Sequence, residues 1–124
     1  MSKQNTDPYV VNMNVSLDGL EKIPDGMSGP ELFMNIAIGA IIASGKKKGG
    51  LTMQEHSKLQ RVRVDIENAL KVKEDQVSIE FDDFKFLMKC WNDHTPDPQA
   101  NELVMRVWQL LKDAQSDHDK QIIV

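Results

Sequence analysis

The longest apolar stretch of the chain runs from Leu32 to Ser44, and only Asn35 and the closing Ser44 are polar within it. A helix that is apolar on nearly every side has no face to give to water. It must therefore lie in a membrane, be surrounded by other elements, or keep one side for a partner. Gly39 lies inside the stretch, where glycine costs about 1 kcal/mol relative to alanine. Its presence suggests that another backbone approaches this helix closely.

The residues before this stretch carry the signals of a helix start. Ser28 is a good N-cap, Pro30 occupies the first turn where its missing N–H costs nothing, and Glu31 completes a capping box. The pattern predicts a helix over 29–44. An ideal helix of that length is about 24 Å long, whereas the hydrocarbon core of a bilayer is about 30 Å thick. We therefore expect a central helix of a folded domain and no membrane span.

The segment from Tyr9 to Leu17 precedes this helix and alternates, with Val11, Met13, Val15 and Leu17 on one side and Asn12, Asn14 and Ser16 on the other. Period-two alternation is typical of a strand with one buried face. Asp18 and Gly19 follow, a pair that favours a two-residue hairpin turn because both tolerate positive φ. With Leu20–Ile23 as the return strand, the sequence predicts an N-terminal β-hairpin over about 9–23.

Three further helices are predicted after the central one, over 53–71, 81–91 and 98–114. Thr52 and Glu55 form a capping box at the start of the first. Each segment has an apolar stripe at helical spacing. The stripes consist of Leu59, Val62, Ile66, Ala69 and Leu70; of Phe81, Phe84, Leu87, Met88 and Trp91; and of Leu103, Val107, Leu110 and Ala114.

These elements predict a mainly α domain with a minor β part. We expect a four-helix orthogonal or bundle-like fold around helix 29–44, with the hairpin at about 9–23 and a C-terminal strand over 121–124. A chain of 124 residues is most simply one domain. The expected divisions are a flexible lead over 1–8, a globular domain over 9–114 and a tail over 115–124.

Composition excludes several classes of protein. The net charge of −4 gives no overall attraction to nucleic acid or anionic lipid. Cys90 is the single cysteine, so the chain cannot form an internal disulfide or a four-cysteine zinc site. The first residues are polar and lack the apolar core of a signal peptide. We therefore expect a cytoplasmic protein, or one of the host cytoplasm or the virion if a virus encodes it.

The sequence carries no catalytic signature. His56, His94 and His118 are widely spaced and form no metal-binding pair, and we expect all three at the surface. Cys90 is expected to be a small packed hydrophobe. No catalytic, cofactor-binding or metal-binding residue is predicted, so we expect a protein that is not an enzyme.

The segment Ile79–Met88 resembles the loop exit and exit helix of an EF-hand. The resemblance places Asp83 in the last, bidentate ligand position. One earlier ligand position then falls on Val72, which has no ligating oxygen in its side chain, and Val77 replaces the glycine that the loop turn requires. These departures from the family's pattern predict no calcium site.

The excess of apolar residues points to a protein partner. We expect a small non-catalytic interaction protein, an accessory, assembly or inhibitor factor of a kind that viruses and phages encode, that docks on a protein or associates with itself. If the central helix is incompletely covered, the exposed side within Ile36–Ile42 is where the partner binds. The other residues predicted to contact a partner are Phe86, Met53, Val64, Ile122, Ile123 and Val124.

The alternative hypothesis is a regulator that binds nucleic acid. It uses the lysine-rich loop after the central helix and the basic side of helix 53–71. The residues that would contact phosphate are Lys46, Lys47, Lys48, Lys58, Arg61 and Arg63. A structural interpretation of the loop lysines stays open, because lysines at this place complement the C-terminal end of the preceding helix.

Overall fold

The computed structural model of this protein describes residues 6–19, 26–93 and 102–120. It confirms the predicted mainly α fold with a short antiparallel sheet. The elements in chain order are β1 (Tyr9–Asn12), α1 (Gly29–Lys47), α2 (Met53–Lys71), β2 (Gln76–Ile79), α3 (Phe81–Asp93) and α4 (Glu102–Lys120).

Helix α1 is the central element, as the apolar stretch predicts, and it packs against α2, α3 and α4. Its start is confirmed, because the Ser28 hydroxyl accepts a hydrogen bond from the backbone N–H of Glu31 at 3.3 Å. Phe33, Ala37 and Ile41 are fully buried along one side. Among the described residues, no helix is both long and apolar enough to cross a membrane.

Helix α2 forms an antiparallel pair with α1 across a short loop. Its capping box is present as predicted, with Glu55 N–H donating to the Thr52 hydroxyl at 3.1 Å and Thr52 N–H donating to the Glu55 carboxylate at 2.9 Å. The loop packs tightly, because a Cβ at Gly45 would lie 2.7 Å from Leu51 Cγ. Leu59, Val62, Ile66 and Ala69 of its stripe are buried in the core, and Leu70 is partly buried against it.

The two strands are far apart in sequence. β1 pairs with β2 in antiparallel register, with Tyr9 opposite Ile79 and Val11 opposite Val77. The sequence alternation identified β1, but it predicted a hairpin partner at Leu20–Ile23, which lies outside the described residues. The partner that the structure shows is the segment after α2, because alternation reveals a strand and not the strand with which it pairs.

Helix α4 continues past its predicted end at Ala114 to Lys120. The sequence suggested a polar tail from residue 115, but the buried stripe continues through Val107, Leu111, Ala114 and His118 at helical spacing. This last turn packs near the start of β1, where the His118 and Tyr9 rings stack at 3.8 Å. The predicted strand over 121–124 and the predicted start of this helix at 98 lie outside the described residues.

Candidate functional site

One side of α1 remains uncovered by the other helices. It is formed by Glu31, Asn35, Gly39, Ile42 and Lys46, all exposed, which we call the open face of α1. These residues recur every three or four positions, so they share one side of the helix. Ile42 is 37% exposed although it belongs to the most apolar segment of the chain. Within Ile36–Ile42, the segment that the sequence proposed for a partner, Gly39 and Ile42 are exposed, whereas Ala37, Ile38, Ala40 and Ile41 are buried.

Gly39 lies near the middle of the open face. A Cβ added there would have no heavy atom within 4 Å. The prediction that another backbone of this fold approaches Gly39 is therefore wrong. The close approach occurs at Gly29 instead, where a Cβ would lie 2.6 Å from the Val15 carbonyl oxygen. The sequence does not reveal which side of a nearly all-apolar helix the fold leaves open.

A groove opens at the C-terminal end of the open face, between α1 and the first half of α2. We call it the basic groove; its volume is about 620 Å³. Ile42, Leu51 and Leu59 contribute its apolar lining, and Lys46 and Arg63 are its cations. No carboxylate lines it among the described residues, so a chain docked there meets apolar surface next to positive charge.

A second groove opens at the other end of the same helix pair, between the start of α1 and the end of α2. We call it the acidic groove; its volume is about 630 Å³. Met34 and Leu70 contribute apolar surface. Its charged residues are Glu31, Lys73, Glu74 and Asp75. The α1–α2 pair therefore has opposite charge at its two ends.

The residues that the sequence assigned to a partner surface are not all exposed in the structure. Met53 is 84% exposed and Val64 is 47% exposed on α2, as predicted. Phe86 is only 7% exposed, so the prediction that it shows its ring to a partner is corrected. Helix α3 packs against both α1 and α2, which buries its two faces. The remaining predicted partner residues, Ile122, Ile123 and Val124, lie outside the described residues.

The six cations assigned to nucleic acid do not form one patch. Lys48 pairs with Glu55, and Lys47 Nζ donates to the backbone carbonyl of Asp93 at 3.1 Å. Lys58 Nζ lies 5.7 Å from the centroid of the Phe86 ring. Of the six, Lys46 and Arg63 line the basic groove.

The remaining cation of that set, Arg61, makes a two-pronged contact with Asp83. Arg61 Nε and Nη2 each donate to a carboxylate oxygen at 2.9 Å, and Asp83 is 1% exposed. The bonds to Asp83 raise the pKa of Arg61. The carboxylate that the EF-hand resemblance assigned to calcium is therefore held by a guanidinium, and the segment before it forms β2. In the described part of the chain, no cluster of three or more His, Cys, Asp or Glu side chains is arranged to hold a metal ion.

The other candidate reactive groups are mostly in structural positions. Cys90 is 3% exposed, as a packed hydrophobe should be, and burial raises the pKa of its thiol. His118 is 4% exposed, and its Nε2 lies 2.8 Å from the Asp7 carbonyl oxygen. The prediction of a surface position is therefore wrong for His118, while His56 is exposed as expected. His94 lies outside the described residues.

Comparison with known proteins does not assign this geometry to a family. No protein-family model, no curated protein and no solved structure matches the chain.

Proposed function

We propose that this protein is a small non-catalytic interaction protein that docks another protein chain on the open face of α1. The observation that carries the proposal is the exposure of Gly39 and Ile42 on the central, most apolar helix, beside a groove lined with Leu51 and Leu59. Covering exposed apolar surface is the main favourable term in protein association. Docking of this kind is the mode of action of accessory, assembly and inhibitor proteins.

The shape of the surface favours a protein segment over a small molecule. The two grooves lie at opposite ends of the antiparallel α1–α2 pair, and both are open to solvent. A shallow groove between two helices suits an amphipathic helix laid along it. Ile42 is the large apolar side chain exposed on the open face of α1, so we expect it to supply much of the binding energy.

The placement of the titratable side chains also favours a non-catalytic role. Asp83 is held by Arg61, and Glu55 is held by Lys48 and by the start of α2. Cys90 is buried in the core. These groups stabilise the fold, and none of them faces the basic groove. The nucleic-acid alternative draws less support, since most of the cations assigned to it already have partners within the fold.

Photo-crosslinking in the organism that encodes the protein tests this proposal. A photo-crosslinking amino acid placed at Asn35, which is exposed on the open face of α1, should form adducts with protein. Ile42→Asp should reduce the adduct about ten-fold or more, because it places a charge in the centre of the docked surface. Lys89→Glu on α3 is the matched control, exposed but away from the open face, and should leave the adduct unchanged.

Two results would overturn the proposal. One is a crosslinker at Asn35 that yields no protein adduct in cells. The other is an adduct whose yield is the same in Ile42→Asp as in Lys89→Glu. Circular dichroism of both purified variants verifies that each retains its helices.

A further inference from the structure

The open face of α1 has opposite charges at its two ends, so it is complementary to the same face turned end for end. Glu31 lies at its N-terminal end and Lys46 at its C-terminal end, about 22 Å apart along an ideal helix axis. Among the described residues, neither side chain has an ion-pair partner; Glu31 accepts only a hydrogen bond from the Ser28 hydroxyl, at 3.1 Å. Both charges are therefore free to pair with another molecule.

A two-fold axis at the middle of this face satisfies both charges at once. If a second α1 crosses antiparallel beside Gly39, Glu31 of each copy lies opposite Lys46 of the other. Contacts of this kind are isologous, because the same patch is used twice, and they close into a dimer. A parallel crossing would instead place Lys46 against Lys46, so the charge pattern selects the antiparallel arrangement.

Gly39 lies where such a crossing requires a small residue. The space above it is open, and without a Cβ it lets a second helix approach closely. Ile42 lies about one turn from Gly39 on the same face and, with Glu31 opposite Lys46, would lie opposite Asn35 of the second copy. The glycine therefore removes the steric barrier at the crossing, while the isoleucine supplies apolar contact on both sides of it.

The flanking grooves extend the match beyond α1. Arg63 of α2 adds a positive charge to the Lys46 end. Glu74 and Asp75, which follow α2, add negative charge to the Glu31 end and outweigh Lys73 there. In the antiparallel arrangement, the basic groove of each copy faces the acidic groove of the other.

We propose that the protein docked on the open face of α1 is a second copy of this chain, whose α1 crosses antiparallel beside Gly39 so that Glu31 and Lys46 pair reciprocally. This rests on the proposed function, since it names the occupant of the same surface.

A charge-exchange experiment with light scattering tests the dimer. The wild-type chain, 14.1 kDa as a monomer, should approach twice that mass as its concentration rises. Glu31→Lys and Lys46→Glu should each weaken self-association about ten-fold or more, because each replaces two attractive pairs by two repulsive ones. An equimolar mixture of the two variants should recover the dimer, since each copy then meets the opposite charge at both ends.

A further variant blocks the helix crossing sterically, and circular dichroism checks that it still folds. Gly39→Leu adds a side chain where the fold leaves space, so the variant should keep its helical circular dichroism and lose the dimer. A wild-type chain that stays at 14.1 kDa at every concentration overturns the second copy as occupant. So does a mixture of folded charge variants that stays monomeric. The proposed function fails separately, when the crosslinker at Asn35 captures no protein of any kind.

Discussion

The burial of Tyr9 has one stabilising and one destabilising effect on the fold. Its side chain is 1% exposed and its ring stacks on both Phe84, at 3.9 Å between centroids, and His118, at 3.8 Å. Its hydroxyl is buried and has no hydrogen-bond partner in the described part of the chain. Aromatic stacking stabilises the core, whereas burying an unpaired hydroxyl costs free energy.

Tyr9→Phe should therefore stabilise the protein. The variant keeps the ring and removes the unpaired hydroxyl, so we expect the free energy of unfolding to rise by about 1 kcal/mol. Tyr9→Leu, which also lacks the hydroxyl but loses the stacking, should lower it by about 2 kcal/mol. Urea denaturation measures both. A loss of stability in Tyr9→Phe would show that the hydroxyl is satisfied in solution.

Phe86 and His118 are buried for the same kind of reason. Phe86 lies opposite the main stripe of α3, where local pattern left open a second buried face or contact with a partner, and His118 lies in a polar stretch, so local pattern placed it at the surface. Both are buried because a second element covers them, α2 in the first case and the start of the chain in the second. Burial by a distant segment leaves no local signal in the sequence.

At the scale of elements, the ends of helices that carry caps were predictable. Capping is a local interaction, so Ser28 and the Thr52–Glu55 box locate the starts of α1 and α2 from the sequence alone. The partner of β1 and the C-terminal end of α4 were not predictable, because each depends on a contact between residues far apart in the chain.

The capping box of α2 should resist acid. The hydrogen bond from Lys48, with that from the Thr52 backbone, lowers the pKa of Glu55 from 4.5 to about 2. Because the folded pKa is depressed, the stability that Glu55 contributes is fully present above pH 4.5 and is lost as the pH falls through about 2. The carboxyl carbon shift of Glu55, followed by NMR against pH, should show a midpoint near 2.

Two lysine variants test whether the hydrogen bond from Lys48 lowers the pKa of Glu55. Lys48→Met removes the hydrogen bond that does most to lower the pKa of Glu55, so it should move the Glu55 midpoint upward. Lys47→Met is the matched control, since Lys47 bonds the Asp93 carbonyl and not Glu55. A wild-type midpoint near 4.5 would mean that the Lys48–Glu55 pair does not persist in solution.

At the scale of the molecule, the fold surrounds α1 on three sides and leaves the fourth open. The apolar stretch itself predicted a central helix, but its apolar residues are spread around the whole circumference and do not show which side the fold leaves uncovered. The structure identifies that side and shows that it carries Glu31 at one end and Lys46, of opposite charge, at the other. The two charged residues are visible in the sequence, but only the fold shows that they lie on the same exposed side of α1.

Disulfide trapping at Gly39 tests most directly whether a second copy covers the open face of α1. Cysteines near the two-fold axis come within bonding range only if the helices cross there, with Cα atoms about 4.4–6.8 Å apart. The native thiol of Cys90 is buried and does not compete. Under a mild oxidant, Gly39→Cys should become a covalent dimer that a reductant reverses, while the exposed control Lys89→Cys should stay largely monomeric. A Gly39→Cys variant that forms no more dimer than Lys89→Cys would contradict an antiparallel crossing at this face.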